Sequence, residues 1–318
     1  MKKLLLSAAV LLFLVSCDKD EASVNDSATG AKLTERGCAS HQVLEEQLRH
    51  DPSLAIKMNE IEEFTQRAML QNRLVNGKIE IPVVVNVLYR TTAENISLAQ
   101  IQSQIDVLNR DFNATNTDFG SVPALFAGVK ANVGISFVLD VVNRKSTTKT
   151  SWGTNDAMKK TAQGGLNPTS PTTKLNLWVC TIGGGILGYA QFPGGSSATD
   201  GVVIDSKYLG TTGTATAPFN KGRTATHEVG HWMNLRHIWG DATCGNDLVA
   251  DTPTHNAPNY GVPAYPHYST CSGTPVEMTM NYMDYVDDAA MYMFSNGQKS
   301  RMLATFATGG PRNSFAQP

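Results

Sequence analysis

The stretch HEVGHWMNLRH, residues 227–237, decides how the rest of the chain is read. His227 and His231 are four apart, so on a helix both imidazoles project from one face. That geometry can hold a single divalent ion at about 2.0–2.1 Å from each nitrogen. Glu228 lies beside them, where a carboxylate reaches a water on such an ion. This short pattern alone arises by chance, and the third histidine carries the discrimination. A continuing helix would rotate His237 by about 240° from the ligand face. His237 can join the site only if the helix stops and the chain turns sharply. Asn234 suits that stop, because helices commonly end on a left-handed residue, usually Gly, with Asn the best-tolerated substitute. A helix with incidental surface histidines would need neither Glu228 nor a turn residue there.

Three protein ligands leave one coordination position open to water, the mark of a catalytic zinc site. A structural site closes with four ligands, usually including cysteines. Zinc acidifies its water, Glu228 is placed to take the proton, and the same carboxyl can pass it to a leaving amine. This chemistry is peptide-bond hydrolysis.

The spacing resembles the HExxHxxGxxH zinc sequence of metzincin metallopeptidases, with Asn234 in the glycine's place. Residues 280–302, MNYMDYVDDAAMYMFSNGQKSRM, are similar to the segment that carries the methionine turn of that superfamily. The resemblance implies that Met283 lies beneath the metal and that Tyr285 donates to the oxyanion of the tetrahedral intermediate. Taken alone, Met283 among so many methionines would read as core. The stretches 175–195, 227–241, 244–253 and 281–288 resemble the pappalysin branch, over essentially all of residues 77–318. The implied fold is an α/β (α+β) metzincin-type zincin: a twisted mixed sheet, a backing helix, an active-site helix, and an irregular C-terminal subdomain ending in a helix. By the same resemblance, GGGILGYAQFP (183–193) forms the loop and edge strand on the upper rim of the cleft, which binds peptide by adding a strand. Its glycines do not make a phosphate loop, since no GxxxxGK[ST] is present and no helix follows.

Local patterns agree with this layout. Residues 79–89, IEIPVVVNVLY, are β-branched and nearly continuous, as in a buried strand. Residues 97–113 place Ile101, Ile105, Leu108 and Phe112 on one face behind a Ser97 cap, which predicts the backing helix. Strands are expected at 133–140, 174–182 and 200–209, and a last helix from about Asn296 to Ala307 capped by Ser295. Upstream, Val43, Leu44 and Leu48, then Leu54, Met58, Ile61 and Phe64, recur at helical spacing. Asp51-Pro52 separates the two helices, with Asp51 or Ser53 as cap.

The N-terminus reads as an export signal. MKKLLLSAAVLLFLVSC (1–17) has two lysines and an apolar run too short to span a bilayer, which takes about 20 residues. Its last four residues resemble a bacterial lipobox with Cys17 lipidated, and Lys19-Asp20-Glu21 resembles a surface-export tag. The domains are therefore expected as signal peptide 1–16, flexible tether 17–33, helical pro-segment 34–76 and catalytic domain 77–318. The product is expected to be an outer-membrane or cell-surface lipoprotein, released on processing. With 26 Lys+Arg against 28 Asp+Glu, charge gives no case for nucleic acid. Partners are protein or peptide substrates, and the chain is expected to be a monomer touching membrane only through its lipid.

The cysteines left after Cys17 are Cys38, Cys180, Cys244 and Cys271, which allow three pairings. Cys244 and Cys271 flank the loop after the zinc sequence and are expected to pair in an exported protein. Val262 and Ala290 stand where relatives carry a second bridge. Cys180, in an apolar strand, reads as a buried inert thiol. Cys38 precedes the catalytic domain; the resemblance implies that its thiolate fills the open zinc position until the segment is cut, with Arg67 and Arg73 as candidate cuts. Asp241, Asp247, Asp251 and Thr252 are candidate ligands for a structural Ca²⁺, as relatives bind calcium nearby. Asp287-Asp288 would favour a basic residue on the primed side of the scissile bond. The rival to a latent zinc endopeptidase is a surface-binding lipoprotein with an inactive peptidase fold, which would need neither Glu228 nor Tyr285.

Overall fold

The computed structural model describes residues 33–71 and 79–316, which belong to one compact unit. The signal, the lipidation residue Cys17, nearly all of the tether, the 76/77 boundary and Arg73 lie outside the described residues. Two helices come first, α1 (Ser40–His50) and α2 (Ser53–Leu70). They break where expected: Asp51 Oδ1 accepts from the Ser53 amide (3.0 Å) and hydroxyl (2.6 Å), while Pro52 starts the next turn. Only part of their apolar stripe is covered. Val43 and Leu54 are buried, but Met58, Ile61 and Phe64 are half-buried.

The main sheet contains β1 (Ile79–Tyr89), β3 (Ile135–Ser146), β4 (Leu175–Cys180), β5 (Gly188–Ala190) and β6 (Val202–Asp205), in the order β3-β1-β4-β6-β5. Four strands run parallel and β5 closes the edge antiparallel to β6. β1 has both faces covered, which explains its near-continuous Val/Ile run. Ile81, Val83, Val85 and Val87 face one core with Leu177, Val179 and Ile204. The alternate set, Leu88, Trp178, Cys180 and Val203, faces a second cluster with Trp152, Met158 and Val43 of α1. Cys180 is thus a buried thiol, as its strand position predicts.

The backing helix α3 (Leu98–Phe112) is capped by Ser97, whose hydroxyl accepts from Gln100 N (3.1 Å). Its Ile101, Ile105, Leu108 and Phe112 are all buried. At roughly 1.5–3 kcal/mol for each such side chain, that face fixes the helix on the sheet. Helix α4 (Arg223–Trp232) packs beside α3 and against β5 and β6, and every one of its residues is buried. Beyond α4 the chain is largely irregular and is stapled by the Cys244–Cys271 disulfide (Cα–Cα 5.7 Å). A short ladder, β2 (Lys130–Ala131) with β7 (Phe294–Ser295), then delivers α5 (Asn296–Phe306). Ser295 and Gln298 form the capping box that starts α5.

Candidate active site

The turn after α4 forms as its sequence requires. Asn234 has φ +73°, the left-handed region. Asn234 N donates to His231 O (2.9 Å) and Leu235 N donates to Gly230 O (3.0 Å), the paired bonds of a Schellman stop. The Asn234 carbonyl accepts from Nε of the buried Arg301 on α5 (2.8 Å), while its own Nδ2 has no hydrogen-bond partner. Asn234 therefore serves through its backbone. Asn234→Gly is expected to keep full zinc content. Asn234→Val forces a β-branched residue into the left-handed region, at about 1–3 kcal/mol, and is expected to lose zinc under mild chelation. Equal zinc retention by both variants would remove this role.

With the turn made, three imidazoles converge. His231 Nε2 lies 3.2 Å from His227 Nε2 and 3.0 Å from His237 Nε2. Each Nδ1 faces an acceptor: Tyr282 O for His227 (2.7 Å), Leu235 O for His231 (2.8 Å) and Asp241 Oδ1 for His237. These partners fix the tautomer with each Nε2 lone pair turned inward. Burial, reinforced for His227 and His231 by the neighbouring histidines, lowers all three pKa values, to about 3 for His231, so the rings are neutral. Met283 lies under the site. Its Sδ approaches α4 so closely that a Cβ on Gly230 would stand 2.5 Å away. Trp239 stacks on His237 at 4.3 Å, and Phe192 packs against His231 at 5.3 Å.

The cleft is occupied by the chain's own residues 36–40. Cys38 pairs parallel to Gly188 of β5: Leu187 N donates to Gly37 O (2.8 Å) and Ala39 N to Gly188 O (3.1 Å). Gly37 is needed for this approach, since a Cβ there would lie 2.8 Å from Gly185 O. Cys38 Sγ joins the three imidazole nitrogens in one group whose ligand atoms all lie within 4.8 Å of one another. The Tyr285 hydroxyl donates to the Cys38 carbonyl (3.1 Å). Glu228 Oε2 accepts from the Ser40 hydroxyl (2.8 Å) and the Cys38 thiol (3.4 Å). Desolvation pushes the pKa of Glu228 up to about 7. Arg36 is buried too, with Nη2 on Asp288 Oδ1 (2.6 Å), Nη1 on the Thr224 hydroxyl (3.1 Å) and Nε on Val286 O (3.2 Å).

Comparison with known proteins decides what this arrangement is. Residues 179–307 match the peptidase family described as pregnancy-associated plasma protein-A. An extracellular metalloprotease of Pyricularia oryzae is 32% identical, over 86% of this chain and 89% of its own length. An extracellular metalloprotease of Coccidioides posadasii is 33% identical, over 72% and 77%. Among solved structures, a promirolysin variant of Tannerella forsythia superposes with a TM-score of 0.81 at 40% identity, covering 88% of this chain and 97% of that one. Mature T. forsythia mirolysin with a cleaved peptide gives 0.73 at 44% identity, covering 76% and 97%. The chain belongs to the pappalysin family. It is a metzincin-type zinc endopeptidase made as a latent precursor, and its relatives are named as extracellular enzymes.

The donor set of this pappalysin suits zinc. His231 Nε2 lies 3.2 and 3.0 Å from the other two neutral nitrogens, close to the edge length, about 3.3 Å, of a tetrahedron with bonds of about 2.0–2.1 Å. Without a cation between them, inward lone pairs at that distance repel. Burial and the Glu228 carboxylate push the Cys38 thiol up, so a thiolate there also calls for a facing cation.

The calcium set does not converge as expected. Asp241 holds His237, with its other oxygen 3.6 Å from His41. Asp251 bonds the Ser295 hydroxyl (2.6 Å) and Gly297 N (2.8 Å) at the start of α5. Only Asp247 and Thr252 meet, at 2.8 Å. The spread is physical: a histidine ligand and a helix N-terminus each attract a carboxylate more directly than a shared loop does.

Sequence reading missed Arg36, Ser40 and Arg301. The Arg-Gly-Cys run at 36–38 carried a usable signal, a cation two residues from the proposed zinc thiolate. Asp241, four residues after His237, had the spacing of a histidine partner. Ser40 and Arg301 carried no such signal, because their partners are 188 and 67 residues away.

Proposed function

We propose that the active form, freed of residues 34–76, hydrolyses peptide bonds with Glu228 as general base and Tyr285 as oxyanion donor. The observation that carries this reading is residues 37–39, which lie along β5 as an added strand with the Cys38 carbonyl under the Tyr285 hydroxyl. A substrate backbone would replace them. His227, His231 and His237 would hold the zinc, which when bound acidifies water and polarises a carbonyl. Glu228 takes the proton and returns it to the leaving nitrogen. Met283 supports the floor on which the histidines stand. Cys38 keeps the precursor silent by facing the metal, and the wider match to promirolysin than to the mature form supports a removable segment here. Hydrolysis of casein by the processed protein, abolished by 1,10-phenanthroline and restored by zinc, tests the reading. A processed form that binds peptides without cleaving them would favour the surface-binding alternative.

The Arg36–Asp288 pair supports the expected taste for a basic residue. Asp288 also accepts from Lys221 N (2.7 Å), so it is a fixed acceptor waiting at the cleft wall. Peptide-library cleavage is expected to show Arg or Lys enriched at one primed position. In Asp288→Asn the Arg-over-Gln ratio should fall at least about tenfold. A profile without basic enrichment would remove this claim.

Calcium enters the proposal only at Asp247 and Thr252, with further oxygens from backbone. Desolvation pushes buried Asp247 up to about 6, and a cation would relieve it. An unchanged melting temperature in EGTA would exclude it. Anchoring through Cys17 and a cut at Arg67 or Arg73 complete the proposal. Arg67 is exposed on the last turn of α2. N-terminal sequencing of the released enzyme tests the cut and the tether, and gel filtration tests the monomer.

A further inference from the structure

Two ion pairs of opposite polarity tie the N-terminal segment to the body. At one, Arg36 of the segment meets Asp288 of the body. At the other, the segment supplies the acid: Glu62 of α2 binds Arg301 of α5 through two parallel bonds, Nη1 to Oε1 at 3.0 Å and Nη2 to Oε2 at 2.5 Å. Arg301 is only 1% exposed. Partial burial pushes the Glu62 carboxyl up, yet the Arg301 bonds and charge outweigh this and hold it below the ordinary range.

The second pair borders a cavity of about 380 Å³ that reaches the metal-binding turn. Its body-side wall includes Phe192, Asn234, Arg236, Asp241 and Arg301. Phe192 packs on His231, Asp241 holds His237, and Arg301 Nε holds the Asn234 carbonyl. The cavity is therefore part of the cleft, on the side facing α1 and α2. Among the described residues, no group other than Glu62 is hydrogen-bonded to the two Nη atoms of Arg301. The nearby Asp247 is occupied by Thr252 and Val249.

Removal of the segment strips both terminal nitrogens of their partner while leaving Nε fixed by the backbone. A guanidinium anchored through Nε at the edge of the cleft and left without its anion presents a fork that matches a carboxylate. Arg236 adds a second positive charge; it too is felt by Glu62. We propose that in the activated enzyme Arg301, supported by Arg236, is a specificity residue that takes the acidic side chain of a peptide substrate, on the opposite side of the scissile bond from the Asp288 pocket. The inference rests on the reading that residues 34–76 leave. Glu62 is then the internal stand-in for a substrate carboxylate, as Arg36 is for a substrate cation. Because Arg36 precedes the zinc-facing Cys38 and Glu62 follows it, a substrate with its base on the primed side would run along β5 in the opposite direction to residues 37–39; the enzyme would then select segments with an acid upstream of the cut and a base downstream of it.

The test uses the full chain activated by limited proteolysis, with peptides that hold Arg at the favoured primed position and vary each unprimed residue. One unprimed position is expected to favour Glu or Asp over Gln or Asn by about 10–100-fold in kcat/KM. The Glu-to-Gln ratio should fall towards one in Arg301→Gln and stay partly raised in Arg301→Lys. Because the ratio is taken within one variant, a general loss through the Asn234 contact cancels. If Arg301→Gln fails to fold, the parent profile still decides. Peptide cleavage without acidic enrichment at any unprimed position overturns the proposal and leaves the peptidase reading intact, as does an unchanged ratio in a folded Arg301→Gln. No cleavage of any peptide by the activated chain would overturn both.

Discussion

Glu228→Ala in the activated enzyme is expected to lower kcat/KM by about 10²–10⁴-fold while zinc content stays at one per chain. The two halves of this expectation rest on separate observations. Glu228 is not among the four residues whose donor atoms cluster for a metal, so its loss leaves the ligand set whole. Its carboxylate instead bonds the Ser40 hydroxyl and the Cys38 thiol, groups that occupy the space a substrate and its water would take. In the precursor it is fully buried, and desolvation raises its pKa to about 7. Glu228→Gln is the sharper variant, because it keeps the volume and can still bond its neighbours but cannot accept the proton. It should match alanine in rate. Turnover within threefold of the parent, in either variant, would rule out Glu228 as the base.

How much of this was legible beforehand depends on the range of the contact. The turn at Asn234 was readable because its cause is local: His237 lies six positions after His231, and a helix cannot bring them together without a left-handed stop. The backing helix and its Ser97 cap, the Ser295 cap and the break at Asp51-Pro52 were readable for the same reason. Met283 and Tyr285 could be placed only through family resemblance, since nothing in their own neighbourhood says which metal site they serve. The calcium set failed where several acceptors compete for one task. A run of Asp and Thr residues shows available oxygens, but not that His237 and the Ser295 hydroxyl and Gly297 amide at the start of α5 claim two of them first. Long-range salt bridges were the least legible. Arg36 and Asp288 are 252 positions apart, and no local pattern pairs them.

The latency of the precursor is expected to fail in a graded way when that pairing is broken. Residues 36–40 are held by the Cys38 thiol facing the metal group, the strand bonds to β5, the Arg36–Asp288 pair and the hydrogen bonds of Ser40 to Glu228 and of Tyr285 to the Cys38 carbonyl. Strand bonds are backbone and survive side-chain changes at Arg36 and Cys38. Cys38→Ala removes the one contact a peptide substrate cannot imitate, so freshly purified, uncut precursor should gain measurable activity. Arg36→Ala leaves Asp288 buried without its cation, and removing one partner of such a pair costs about 3–5 kcal/mol. Asp288 keeps its bonds from Lys221 N and Arg223 N, so the lower end of that range applies. Since about 1.4 kcal/mol is a factor of ten, the open population should rise by about 10²-fold. Arg36 and Cys38 sit two residues apart on one short strand, so their effects should couple rather than add. The double variant should approach the activated enzyme without any cut. Initial rates on a fluorogenic peptide, with gel analysis to confirm an intact chain, measure all three. If the double variant is as silent as the parent precursor, the strand bonds and the Ser40–Glu228 hydrogen bond enforce latency, and the thiol and the ion pair are not its cause.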